Sequence, residues 1–258
     1  MAVMASEQRR TGEIPAEERE LRIQLAAAYR LADKYGMSEL INTHISLRVP
    51  GPTPTYLLNP HGMLFHQITA SSLVKLDFAG KVAGPSEWPV NRAGVAIHGS
   101  ILAARSDINC VFHTHMPYTT AVSALQCGLL PMSQAALRFQ GQTAYHDYGR
   151  AASDPAECAR LVKDLGDKPV MILRNHGGIT TGKTVCEAFI ASFYLEKACQ
   201  FQILAQSAGA PLTMPADDII AASGGPAEAW SAHRTEGCTS PPSSQWPRSV
   251  RPAPCLSW

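Results

Sequence analysis

The chain has 258 residues, 45% hydrophobic and 17% charged, with a formal net charge of +1. That length suffices for one large α/β domain or two small ones with a sizeable core, and the balanced charge argues against nucleic acid or an anionic membrane as a partner. No apolar run approaches the roughly 20 residues that span a bilayer, and the polar N-terminus lacks the apolar stretch of a secretory signal. The seven Cys are scattered and odd in number, without a CxxC pair, which fits a reduced, cytoplasmic protein better than a disulfide scaffold.

In chain order, a polar lead-in over 1–20 precedes one domain over 21–222. Apolar residues recur at helical spacing from about Glu17 to Tyr35 (Leu21, Leu25, Ala28, Leu31, Ala32), and Gly36 ends that helix. Short strands follow at Ile45–Val49 and Tyr56–Leu58, split by a Pro-rich turn. Leu73–Asp77 and Lys81–Ala83 read as a hairpin. Helices are expected at 91–105, 118–125, 154–165 (with Ser153 as cap and Pro155 in the first turn) and 185–206. Strands are expected at Asn109–His113 and, as a continuous apolar run, at Pro169–Leu173. From Ser223 the chain turns rich in Pro, Ser, Gly and Arg without periodicity. The segment 223–258 reads as a disordered tail or as sequence not selected for folding.

The strongest chemical signal is Val111-Phe112-His113-Thr114-His115. Residues i and i+2 of a strand share a face, so two imidazoles at the end of a buried strand can hold one metal ion at about 2.0–2.1 Å from each nitrogen. His176, in Asn175-His176-Gly177-Gly178, follows a second buried strand and is expected on a tight turn. Three neutral imidazoles would leave coordination positions open for catalysis. Spacing alone leaves a metal site and a chance grouping both open.

These motifs resemble the class II aldolase/adducin family. The resemblance rests on Asp107 to His115 and Arg174 to Gly177, on Ile41-Asn42-Thr43-His44-Ile45-Ser46, Thr69 to Lys75, Ala93 to His98, Cys127 to Pro131 and Ala144 to Tyr148. It covers roughly Leu21 to Gln206, and several blocks are closer to the adducin head than to the sugar-phosphate aldolases. It implies a three-layer α/β/α sandwich on a mainly antiparallel sheet. It also implies a homotetramer, a small-molecule substrate, and one divalent metal on His113, His115 and His176, zinc first, with manganese or iron as the other candidates. In the aldolases zinc stabilises the charge that develops when a C–C bond breaks beside a carbonyl.

The chain departs from the aldolases where they carry an acid/base Glu, four residues before His98. Gly94 stands there and cannot move a proton. Glu87, in a Ser-Glu-Trp sequence, is a candidate catalytic carboxylate or a solvated loop residue. Asn42, His61, Gly62 and Arg92 are candidate substrate-binding residues by the same resemblance; Arg92 reads equally as an anion binder or a surface helix residue. His44, His66, His98, His146 and His233 read as structural or solvent-facing. Three functions follow. The first is a metal-dependent lyase cleaving a C–C bond, by aldol cleavage or decarboxylation, in an oxo or hydroxy acid or sugar-derived substrate. The second is a non-enzymatic, adducin-like interaction module. The third is a non-haem iron oxygenase on the same fold.

Overall fold

The structure, a computed structural model, describes residues 14–149 and 154–224. Of the tail expected over 223–258, the residues beyond 224 lie outside the described residues, as does the lead-in expected over 1–20 up to residue 13; its residues 16–20 are already helical.

Helix α1 (Ala16–Lys34) opens the fold and ends at Tyr35 and Gly36. The strands are β1 (His44–Val49), β2 (Thr55–Leu58), β3 (Val74–Asp77), β4 (Cys110–Thr114), β5 (Thr143–His146), β6 (Val170–Leu173) and β7 (Gly177–Gly182). Helices α2 (Arg92–Ala104), α3 (Pro117–Ser123), α4 (Gln134–Leu137), α5 (Pro155–Leu165), α6 (Val185–Ser207) and α7 (Asp217–Ala222) complete the elements used below. The seven strands form one sheet in the order β3-β2-β1-β4-β7-β6-β5. Every neighbouring pair is antiparallel except β5–β6.

Strand alternation sorts side chains between two layers. Ile45, Leu47 and Val49 of β1 and Cys110 and Phe112 of β4 pack under α1 and the start of α6. Val170 and Ile172 of β6 face α3, α4 and the middle of α6. On the opposite face, Val111, Met171 and Ile179 meet Ile97 and Ile101 of α2 and Leu161 and Leu165 of α5. Helices therefore cover both faces, giving the expected α/β/α sandwich on a mainly antiparallel sheet. β4, buried at all five positions, lies at its centre.

Two contacts fix β1 against α1. The Tyr29 hydroxyl accepts from the Ile45 N–H at 2.7 Å and donates to the Ile45 carbonyl at 2.5 Å. Buried Glu18 accepts from Arg22 and Lys75, tying the first turns of α1 to β3.

Three local expectations change. The cap of α5 is Asp154, whose carboxylate accepts from the Ala156 N–H at 2.9 Å; Ser153 lies outside the described residues. The Lys81–Ala83 piece is a single bridge, Leu76 to Val82, because Phe78–Gly80 turns the chain and little ladder follows. Strand β7 follows His176 directly. The left-handed residue is Asn175, at φ 58°, and Gly177 and Gly178 belong to the strand. Their small size has a packing cause: a Cβ on Gly177 would run into the Thr114 carbonyl, and one on Gly178 would lie 3.0 Å from Thr119 Cγ2.

Candidate metal centre

β4 and β7 are antiparallel neighbours, with Thr114 paired to Gly178. His113 in β4 and His115 just past its end therefore lie beside the Asn175-His176 corner that leads into β7. The ring centroids of His113, His115 and His176 are 4.5–5.0 Å apart. One nitrogen of each lies within 4.8 Å of the others.

The hydrogen bonds settle the tautomers. His113 Nδ1 lies 3.1 Å from the Gly178 carbonyl, which can only accept, so Nδ1 carries the proton. His115 Nδ1 lies 2.6 Å from Glu39 Oε2, and the carboxylate likewise accepts. The Nε2 atoms of the two rings then face each other at 3.1 Å. That separation suits an N–H···N hydrogen bond between the rings, and it also suits two nitrogens sharing one ion. Nitrogens bound tetrahedrally at about 2.0–2.1 Å to one ion lie about 3.3 Å apart, so the residues fit a shared divalent metal. Buried rings also resist protonation. Burial, with His115 and His176 nearby, holds His113 well below the usual imidazole range. Burial followed by His115 brings His176 to about 4. The lone pairs of His113 and His176 are therefore free for a metal at neutral pH.

The corner is held from behind. The His176 N–H donates to the Leu173 carbonyl at 3.1 Å and faces Ser123 Oγ at 3.2 Å, and Thr120 Oγ1 donates to the His176 carbonyl at 3.1 Å. A cleft of about 380 Å³ reaches His176, lined by Ile97, His146, Tyr148, Arg174 and Leu173 among others. His146 lies between Asp164 and Glu157, at 2.7 and 3.0 Å. Arg174 donates to the Leu125 carbonyl and stacks on Tyr145. Both are thus fixed walls of the cleft.

The other candidate residues spread out. Glu87 lies exposed in the loop between β3 and α2. Asn42 is an exposed turn residue before β1, because the strand begins two residues later. Arg92 lines a different groove, between α2 and α5, with Val95, Ala96 and Ser100. Two positions along a helix turn about 200°, so Arg92 points away when Gly94 faces the sheet. His61 is exposed and Gly62 occupies a turn at φ 91°. His61 is near enough to His44 for its charge to oppose one there.

Three further residues stand at the centre. Glu39, in the turn after α1, carries no local motif and is found only through the fold. His44 and His98, read as structural, stand beside the centre. His44 pairs with His113 across β1–β4 and stacks on it at 5.7 Å between centroids, with 25° between planes. His98 meets His44 edge-on at 5.6 Å, and its Nδ1 lies 2.6 Å from Ser46 Oγ. Apolar Ile45, Leu47 and Val49 already imply that 44 and 46 share the other face of β1. That alternation is the signal that could have found His44. Burial is the main reason that His44 falls to about 4, and that His98 lies well below its usual range.

The chain is thus an α/β/α sandwich in which three imidazoles converge near the end of the central strand. The family model described as class II aldolase and adducin N-terminal domain matches residues 23–203, and the chain belongs to that family. It is 46% identical to alpha-adducin of Rattus norvegicus over 198 residues, which are 75% of this chain and 27% of the adducin. The crystal structure of an aldolase II superfamily protein from Pseudomonas syringae has a TM-score of 0.79 and 48% identity. It covers 85% of this chain and 92% of that one. L-fuculose 1-phosphate aldolase from Glaciozyma antarctica PI12 has a TM-score of 0.73 and 29% identity, covering 82% of each. Among the described residues no helix is long and apolar enough to cross a membrane.

Proposed function

We propose that the protein is a metal-dependent lyase that cleaves a C–C bond, by aldol cleavage or decarboxylation, in a small oxo or hydroxy acid or a sugar-derived substrate. The observation that carries this reading is the convergence of His113, His115 and His176, one nitrogen of each within 4.8 Å of the others, with the Nε2 atoms of His113 and His115 facing each other at 3.1 Å. A zinc ion held there would supply Lewis-acid stabilisation of oxygen charge, worth several kcal/mol in such reactions. The chain's own contributions are fixed tautomers: Gly178 orients His113, and Glu39 orients His115. The cleft beside His176, with Tyr148 and Arg174 in its wall, has the volume of a small-molecule site.

Gly94 weighs between the two lyase reactions. Aldol cleavage asks for a proton carrier near the leaving fragment. Decarboxylation asks for an electron sink and can proceed without one at that position, so it suits this chain better. Glu87 is poorly placed to serve, lying exposed in its loop. Exposed Phe201 and Leu204 on α6 offer an apolar face for self-association, and we assign a cytoplasmic homotetramer.

The likeness to alpha-adducin, together with Gly94, supports a second reading, an oligomeric interaction module without catalysis. Elemental analysis of protein purified without added metal or chelator separates the readings, alongside His113→Ala/His115→Ala. About one zinc or manganese per chain, lost in the double variant, with release of carbon dioxide or an aldehyde from oxo or hydroxy acids, supports the lyase. Iron redirects the assignment to an oxygenase. No metal, even after incubation with zinc, manganese and ferrous iron, leaves the module.

A further inference from the structure

Among the described residues, four buried side-chain atoms have no hydrogen-bond partner, and three of them belong to the neighbouring rings of His44 and His98. They are Thr43 Oγ1, both ring nitrogens of His44, and His98 Nε2. Buried polar groups are overwhelmingly paired, and an unpaired one costs stability that a phenylalanine of similar shape would not. His44 is 3% exposed and carries two such atoms on one ring.

Gly94 explains how the ring comes to sit there. A Cβ at position 94 would lie 2.9 Å from His44 Cδ2, 3.0 Å from Cγ and 3.1 Å from Nε2. The ring therefore occupies the space through which a side chain from the start of α2 would reach the centre. The Gly94 N–H meets the Asn91 cap, so the backbone at 94 is not free to retreat without loosening α2. His98, held by Ser46, closes the far side. The flat face of His44 lies on His113, one of the three candidate ligands.

We propose that His44 is a binding residue of the centre, donating a ring N–H to a carboxylate or hydroxyl oxygen of the ligand held at His113, His115 and His176, from the space vacated at position 94. The ligand class is a small carboxylic acid with a second oxygen on the adjacent carbon. This rests on the metal-centre reading above. It supplies from β1 a polar contact that α2 cannot provide through glycine.

The test uses the full chain loaded with cobalt(II), whose visible absorption reports ligand binding without turnover, and oxalate as the probe. The variants are His44→Phe, which keeps the ring volume without nitrogens, and His44→Gln, which keeps a donor. His44→Phe is expected to weaken oxalate at least about tenfold, as loss of a charge-assisted hydrogen bond would. Cobalt affinity should stay within about twofold, and His44→Gln should recover much of the loss. Gly94→Ala, whose methyl group pushes the ring aside, should also weaken oxalate with cobalt affinity kept, and it serves if His44→Phe does not fold. Oxalate binding unchanged in His44→Phe or Gly94→Ala, or a parent protein that binds cobalt but not oxalate, overturns the proposal. A parent that binds no cobalt refutes the metal centre itself, which is a distinct result.

Discussion

Replacing Glu39 by alanine tests whether the three histidines are organised for a metal. The carboxylate contributes no coordination of its own in this arrangement. It accepts the Nδ1 proton of His115 at 2.6 Å, and that bond helps aim Nε2 at His113. Without it, His115 can rotate or adopt the other tautomer, and the ion would lose one well-placed donor. Loss of an outer carboxylate partner costs about 10–100-fold in metal affinity. Glu39 is 51% exposed, so water can stand in as acceptor, and the expected loss is at the low end, about tenfold or 1.4 kcal/mol. Because Glu39 lies at the surface, the apo protein should unfold at nearly the same urea concentration. Competition for zinc against a chromophoric chelator measures the affinity, and Glu39→Gln, which keeps an acceptor oxygen, should lie between parent and Glu39→Ala. Zinc binding by Glu39→Ala within about twofold of the parent would refute the tautomer argument.

Glu18→Gln removes a buried charge that balances Arg22 and Lys75, and should destabilise the fold by about 3 kcal/mol in urea unfolding. The low end of the range applies because Arg22 still donates to the Leu73 and Ala70 carbonyls. Burial alone would raise the Glu18 carboxyl, but the bonds from Lys75 and Arg22 outweigh it and hold it below its usual range. A carboxyl lower in the folded than the unfolded state stabilises above the unfolded value, about pH 4.3. That stability is lost as pH falls through the folded value, so the Gln variant should show a shallower acid-side decline. Gly177→Ala should cost about 1–3 kcal/mol and weaken zinc binding. Its Cβ would press on the Thr114 carbonyl and lie 3.0 Å from His115 Cδ2. Unchanged zinc affinity would show that β7 tolerates the displacement.

The elements that periodicity marks strongly are present: the Leu21–Ala32 stripe of α1, the alternation of β1 and the apolar run of β6. β7 was missed because Gly177-Gly178-Ile179-Thr180-Thr181-Gly182 has three glycines. They read as turn residues, whereas close packing against β4, α3 and α6 requires them. β5 escaped for a related reason. Its four residues lie at the edge of the sheet, paired only to β6. The three histidines were legible because His113 ends a buried strand with His115 two residues on, and His176 follows a second buried strand. Glu39 was not, since its role depends on where a turn falls in space. Strand phase, which turns His44 toward the face of β1 shared by Ser46 and His98, was legible in the alternation of Ile45, Leu47 and Val49.

The contact between Gly94 and His44 also restricts how this chain could have arisen from, or return to, a relative with a larger residue at 94. Enlarging 94 first drives a carbon into an imidazole ring, and shrinking 44 first leaves a hollow beside α2. Either single step is disfavoured while the pair together can be neutral, so the two positions are coupled in the sense of a mutant cycle. They should be exchanged as a unit, and the order of substitution, more than the final identity of either residue, sets how accessible the alternative site is.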